Sequence, residues 1–478
     1  MDALPTGHFI GGALQASRSR DALDAMNPAT GAVIGKVADA SAEDVGEAVS
    51  AAARAAPAWA ETPARRRGQI LLAIAARMRQ RGEELARLDS LDSGRTIAET
   101  RAQVERSAQQ CEYCAGAADK LEGRVVPLGG ASFAHTALEP YGVVAALTPW
   151  NAPLLQIAQK ASHALAAGNA VVVKPSPLAC FTALRFAEIA VDVGLAPGVL
   201  NVVTGGGTAG SALVADERVA KVTFTGSTAT GRSIAATCGA RGASVSLELG
   251  GKCPLLVFDD ADLTAAATLA GRAAFGSAGQ SCVAAARILV ERRCLSALLP
   301  LLAREAERWR GGDPFAPGTA MGPLISRAAW LRVRDLVHDA VARGASLAAG
   351  TLPGDEPRGA GFFMDALALR EVAPDARIMR EEAFGPVTVI EVFDSEDEAV
   401  AMANAGPYGL AAGICTDNAA RARRLTRKLT AGNVWVNTYK ALDPAMPFGG
   451  NNASGINREC GIDGLLSFVR PKAIVEAY

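Results

Sequence analysis

From residue 143 to residue 252 the chain alternates short apolar runs with helix-like stretches. The runs are VVAALT, AVVVK, VLNVV, KVTFT and SVSLELG, with helical character near 153–167, 178–193, 207–214 and 228–238. Such alternation predicts βαβ units around a buried parallel sheet. It also constrains where a ligand can sit. Crossovers are right-handed, and ligands bind outside the carboxyl ends of the strands. Every run here ends in a polar cluster: TPWN, KPS, TGGG, TGST and LELGGK. A binding site across those ends is the expectation.

A second α/β region follows. PLLVF (254–258) reads as a strand, 262–276 as a helix, 287–291 as a strand, and 294–308 and 326–343 as helices. PVTVIEVF, AAGICT and NVWVN are further strands with helices between them. Upstream, NPATGAVIGKVADA (27–40) reads as a turn and a short strand, and Ser41 with Asp44 forms a capping box. Residues 63–90 read as one long helix with its arginines on a solvated face, and 96–118 as another. Residues 123–139 suggest a hairpin outside the main body, 447–464 a glycine-rich loop and FVRPKAIVEAY an extended tail.

The 478 residues allow two or three domains. A net charge of −1, with dispersed Lys and Arg, speaks against nucleic acid or an anionic membrane as partner. No apolar stretch has the length of a membrane span. MDALPTGHFIGG lacks the features of a signal peptide. Nine cysteines without such a signal suggest reduced thiols in a cytoplasm. Cys111 and Cys114 form a lone CxxC in a helical segment, a weak zinc signal read as non-functional. His8, His135, His163 and His338 show no metal-ligand spacing, so no metal is expected.

FGSAGQSCVAAAR (275–287) sets Cys282 among small residues, which leaves room for substrate and cofactor to approach. A thiolate is a strong nucleophile. The bland alternative is a buried free cysteine, among the commonest fates of that residue.

Taken together, TPWN (148–151), KPS (174–176), FTGST (224–228), ELGGK (248–252), GQSC (279–282), EEAFGP (381–386), NxGPYGLAAG (404–413) and PFGG (447–450) resemble the aldehyde dehydrogenase superfamily, in its order and over nearly the whole chain. The resemblance implies two Rossmann-like α/β domains plus a small β oligomerisation element. The dinucleotide-binding domain would be 1–120 and 140–249, the catalytic domain 250–450, and the oligomerisation element 121–139 and 465–478. It implies thiolate attack by Cys282 on an aldehyde, with the Asn151 amide and the Cys282 N–H as oxyanion donors. Hydride transfer to nicotinamide would give a thioester, hydrolysed with Glu248 as base.

The implied cofactor is NAD or NADP. Thr148, Pro149 and Trp150 lie by it, Trp150 near the phosphates. Lys174, also placed in the catalytic set, would reach the adenosine ribose, beside Ser176 and Pro177. Gly226, Ser227 and Gly231 belong to GSTATG, which leads into a helix start suited to pyrophosphate, and Gly207 and Phe224 are further cofactor contacts. Leu249 is a further cofactor contact, Gly250 and Gly251 would let cofactor and water come close, Glu382 holds the nicotinamide ribose and Phe384 packs near the nicotinamide. A homodimer or homotetramer in the cytoplasm is implied.

Several positions depart from the family pattern. Pro177 stands where NAD-preferring relatives commonly carry Glu, which suggests relaxed choice with NADP tolerated or preferred. Ser277 replaces a common Asn, and Asn452 a common Lys, without touching the chemistry. Gln159 stands where relatives acting on aromatic or quaternary-ammonium aldehydes often carry Trp. With Gln156 it suggests a polar substrate tunnel, or else both glutamines pack structurally. Ser281 and Val283 would shape the same tunnel. No Arg in that helix clamps a substrate carboxylate, which speaks against semialdehydes of the succinate kind. Competing readings are a CoA-acylating relative, disfavoured by Glu248, an idle relative used for binding, and a Cys–His hydrolase.

Overall fold

The strand Val143–Thr148 is buried along its whole length. It lies inside an eight-stranded sheet of the computed structural model, which describes residues 4–477. Met1, Asp2 and Ala3 of the N-terminal stretch, and Tyr478 of the tail, lie outside the described residues. The sheet order is Gly455–Ile456, Ser244–Glu248, Val219–Thr225, Val143–Thr148, Ala170–Pro175, Leu200–Val202, His8–Ile10, Ala13–Gln15. Its five inner strands, from Ser244–Glu248 to Leu200–Val202, are parallel. From Val143–Thr148 the chain winds first to one side, then crosses to Val219–Thr225 on the other. That reversal opens a crevice at the carboxyl ends, the place where such sheets bind ligands.

A second sheet of seven strands runs Ser346–Gly350, Leu367–Arg370, Val387–Phe393, Arg287–Glu291, Pro254–Val257, Ala411–Cys415, Asn433–Val436. All its pairs are parallel except the first. Helices cover it, and Leu255, Val257, Ile288 and Val290 are at most 1% exposed. Mixed α/β layers with parallel sheets are the expected fold class.

A three-stranded antiparallel sheet joins Val125–Val126, Ser132–Pro140 and Val469–Ala477. The hairpin and the tail therefore form one element. The capping box on the helix Ala42–Glu61 is present, with both reciprocal bonds.

Three expectations need correction. Residues 63–90 are two helices, Ala64–Gln80 and Gly82–Ser93, joined at Arg81. Gly82 disfavours continuation of the helix. The arginine face is not wholly solvated, because Arg67 is buried and donates to the carbonyls of Ala166 (3.0 Å) and Thr62 (2.5 Å). Residues 447–464 are not only a loop. They contain the strand Gly455–Ile456 and the start of the helix Gly461–Leu466, and Gly455 pairs antiparallel with Glu248. No helix among the described residues is long and apolar enough to cross a membrane.

Candidate active site

Cys282 follows an unusual turn. Ser277, Ala278 and Gly279 are all left-handed, with φ of 57°, 54° and 66°. Only glycine fits the last position, because a Cβ there would come 2.0 Å from the Gly385 carbonyl oxygen. Gln280 locks the turn: its Oε1 accepts from Ile325 N (2.8 Å) and its Nε2 donates to Pro323 O (3.3 Å). Arg95 donates to Ser277 Oγ (3.1 Å) and to the Asn151 carbonyl (3.0 Å). Ser277 Oγ in turn donates to Glu99 (2.8 Å). Ser277 therefore braces the cysteine loop, a role its sequence gave no sign of.

All nine cysteines are free, and Cys282 alone is not buried. The bland reading of a sequestered thiol suits the other eight. Cys253 lies beneath it, its thiol directed at the Cys282 carbonyl (3.6 Å). Desolvation, then the negative charges of Glu382, Cys253 and Glu248, push the Cys282 thiol well up, against Lys440. The Asn151 amide donates to Gln280 O (3.0 Å), which fixes it beside the same loop. An Asn amide has a second N–H to offer.

Glu248 ends the strand Ser244–Glu248, and its backbone carbonyl accepts from Gly226 N (3.0 Å). Its carboxylate is buried and neither oxygen has a hydrogen-bond partner. A Cβ on Gly449 would come within 2.5 Å of Glu248 Oε1, so the PFGG glycine makes room for the carboxylate. Burial, then the nearby Glu459, hold this carboxyl well above the usual range, while Lys160 and Arg458 pull it down.

Glu459 and Lys160 are the residues that sequence reasoning missed. They form a buried ion pair, and Glu459 also accepts from Gln159 (2.7 Å) and Thr223 (3.3 Å). Lys160 also donates to Thr223 (3.1 Å). A charged residue in the otherwise apolar helix PLLQIAQKASHALA was the available signal. Gln159 is thereby committed to Glu459 and does not face a tunnel, as its alternative structural reading allowed. Gln156 keeps a buried Oε1 without a partner. Ser281 is partly exposed, and Val283 is buried in the core of the second sheet.

The crevice could hold a dinucleotide. Ser227 caps the helix Thr228–Ala240, its Oγ accepting from Thr230 N (3.3 Å). Gly226 lies against Phe224 and Gly231 against Leu249, where Cβ atoms would come within 2.4 Å and 2.3 Å of those side chains. Gly207 opens the helix Gly207–Ala215 with free space at its Cα. Lys174 donates to the carbonyls of Pro175 (2.9 Å) and Gly205 (2.8 Å), and burial lowers it to about 8.

Thr148 O accepts from Ser176 N (2.9 Å), which ties two strand ends together, with Pro177 next in line. Pro149 leads into Trp150, whose ring meets Phe384 edge-on at 5.4 Å. A Cβ on Gly250 would come 2.5 Å from Glu382 Oε2. Burial raises Glu382 to about 7.

The aldehyde dehydrogenase family model matches residues 14–474. The chain belongs to the aldehyde dehydrogenase family. Among solved structures it resembles a Burkholderia cenocepacia protein assigned to the aldehyde dehydrogenases, with 40% identity, 99% of this chain and 98% of that one covered, and a TM-score of 0.96. It resembles PnpE from Pseudomonas sp. WBC-3 with 38% identity, coverage of 99% and 97%, and a TM-score of 0.96. PnpE is also known in complex with nicotinamide adenine dinucleotide. Betaine aldehyde dehydrogenase from Staphylococcus aureus, in complex with NAD+, is 34% identical, with coverage of 99% and 94% and a TM-score of 0.96.

Proposed function

We propose that this aldehyde dehydrogenase oxidises an aldehyde to a carboxylic acid by covalent catalysis at Cys282 followed by hydrolysis with Glu248 as base. One observation carries the reading furthest. A buried carboxyl with no hydrogen-bond partner ends the strand Ser244–Glu248, in space left open by Gly449. A carboxylate left unpaired in such a place is costly unless a substrate or water uses it.

Cys282 gives up its thiol proton to water, Sγ then forms a bond to the carbonyl carbon, and the carbonyl π pair moves to oxygen. The second Asn151 N–H and the Cys282 backbone N–H stabilise that oxyanion. The nicotinamide cofactor, when bound, supplies the two-electron acceptor. Glu248 then takes a proton from the water that attacks the Cys282 thioester. The C–S bond breaks and the thiolate returns. Water rather than coenzyme A is the acceptor in this reading, because a base is built in.

The first sheet (1–120 and 140–249) acts as the cofactor unit, and 250–450 supplies the nucleophile. Ser227 and the first turn it caps hold the pyrophosphate, Lys174 and Ser176 the adenosine ribose, and Glu382 the other ribose. Lys174 binds rather than reacts. The NAD complexes of the two relatives support NAD as a cofactor. Pro177 brings no carboxylate to repel a 2′-phosphate, so NADP is accepted too. Nine free cysteines fit a cytoplasmic setting.

The test is a panel of aldehydes with NAD and NADP, followed by the absorbance of the reduced cofactor. Turnover with both is expected, and Cys282→Ala should abolish it. A strong preference for NAD rejects relaxed choice, and turnover by the alanine variant rejects the nucleophile.

A further inference from the structure

Arg95 stands in the turn between the helices Gly82–Ser93 and Ile97–Ala117. The turn is fixed on both sides. Gly94 is left-handed, with φ of 74°, and a Cβ on it would come 2.9 Å from Pro323 and 3.0 Å from Pro28. Thr96 caps the next helix through a capping box with Glu99, and Ile97 N donates to Pro314 O (2.9 Å). The Arg95 side chain thus starts from a rigid root.

That side chain is only 10% exposed, and its fork spans two other segments. Nη1 donates to the backbone carbonyl of Asn151 (3.0 Å) and Nη2 to Ser277 Oγ (3.1 Å). Nε is buried without a partner, so these two bonds set the orientation of the fork. The two segments also bond to each other. The Asn151 amide donates to Gln280 O (3.0 Å), and Gln280 N donates to Ser277 O (3.0 Å). Arg95, Asn151, Gln280 and Ser277 therefore close a ring. Gln280 Nε2 donates to Pro323 O (3.3 Å), and Pro323 is the residue against which Gly94 packs.

An arginine needed only to balance Glu99 would close on it. Here the approach is 4.0 Å, and Glu99 instead accepts from Ser277 Oγ (2.8 Å). The direct bonds of Arg95 go to the segments that carry the two proposed oxyanion donors. Asn151 holds one, and Ser277 lies five positions before Cys282, which holds the other. We infer that Arg95 is a positioning residue for the oxidation proposed above. It keeps Asn151 and the cysteine loop in register, so that the Asn151 amide and the Cys282 N–H converge on one oxygen. It acts through the backbone of the first and through Ser277 beside the second. Such donors stabilise charge only when they are in place before it develops. Lysine is no equivalent, because an ammonium lacks the planar fork that meets two acceptors at once.

The experiment measures single-turnover formation of reduced nicotinamide with NAD present and protein in excess of aldehyde. The probe is the fastest of propanal, benzaldehyde, glycolaldehyde and betaine aldehyde. The amplitude reports the active fraction and the rate constant reports the site, so a loss of stability alone leaves the rate constant where it was. Arg95→Met should slow it by about ten- to a hundred-fold, the scale of a donor displaced by about 1 Å, while the Kd of NAD stays unchanged. Arg95→Lys should recover only a small part of the loss. In an Asn151→Ala background the methionine substitution should cost about three-fold or less, because a donor that Arg95 serves is already gone. An unchanged rate constant in Arg95→Met, or an equal fall in both backgrounds, overturns the inference. If Arg95→Met does not fold, Ser277→Ala decides. It removes one acceptor and should slow the same step by about three- to ten-fold, the scale of one hydrogen bond, and no slowing overturns the inference as well. Wild-type turnover with an indifferent Arg95→Met removes the positioning alone. No reduced cofactor from wild-type protein with any of the four aldehydes removes the oxidation itself.

Discussion

At Glu248 burial and the Glu459 charge keep the carboxyl protonated beyond the usual carboxylate range. A protonated acid takes no proton from water, so the base is available only above that raised pKa. In the proposed role, hydrolysis of the thioester should therefore accelerate as pH rises beyond the usual carboxylate range. The pH profile of kcat checks this, and Glu248→Gln should lose that limb. The same variant should still release a first burst of reduced cofactor in stopped flow, with the later steady rate down about a hundred-fold, as expected for loss of a general base. An unchanged steady rate would remove Glu248 from the role. Glu248, Cys282 and Asn151 were legible in the sequence because each sits in a motif whose neighbours make room for it. Lys160 and Glu459 were not, because they lie 299 positions apart and only the fold joins them.

Among the elements, alternation of apolar runs located the inner strands of the first sheet to within a residue or two. Helix ends were harder where no cap marked them. Ser41 and Thr96 cap the helices Ala42–Glu61 and Ile97–Ala117 as side-chain acceptors, and both starts were readable. Arg81 has no such bond, so the break before Gly82–Ser93 was invisible to periodicity. The segment after PFGG looked like loop because its strand is only two residues long and draws its order from Glu248 across the sheet. Asn452, in place of the common Lys, has φ of 55°, a conformation that Asn tolerates better than most residues. The buried pair gives this element a testable energy. Glu459→Gln leaves Lys160 without its counter-charge and should cost about 3–5 kcal/mol, read as a lowered urea midpoint. A midpoint unchanged from wild type would mean that Lys160 finds another partner.

On the scale of the whole molecule, the small sheet is the part least able to stand alone. Val125, Val475 and Leu128 are 69%, 61% and 55% exposed around it. A short apolar edge strand invites pairing with another chain. We therefore expect a dimer or tetramer of the 49.1 kDa chain, measured by light scattering. Val475→Asp should shift the distribution towards smaller species, and a wild-type monomer would contradict the expectation.

The pairing of Gly455 with Glu248 also bears on how the molecule is made. Gly455, Ile456 and Glu459 leave the ribosome after every other strand of both large sheets. Until they arrive, the last long strand of the first sheet has a bare edge and Lys160 has no counter-charge. The first sheet can form early in synthesis, but the Glu248 carboxyl acquires its surroundings only near the end. A partly made chain can thus hold the crevice of the first sheet before Gly455, Ile456 and Glu459 complete the surroundings of Glu248.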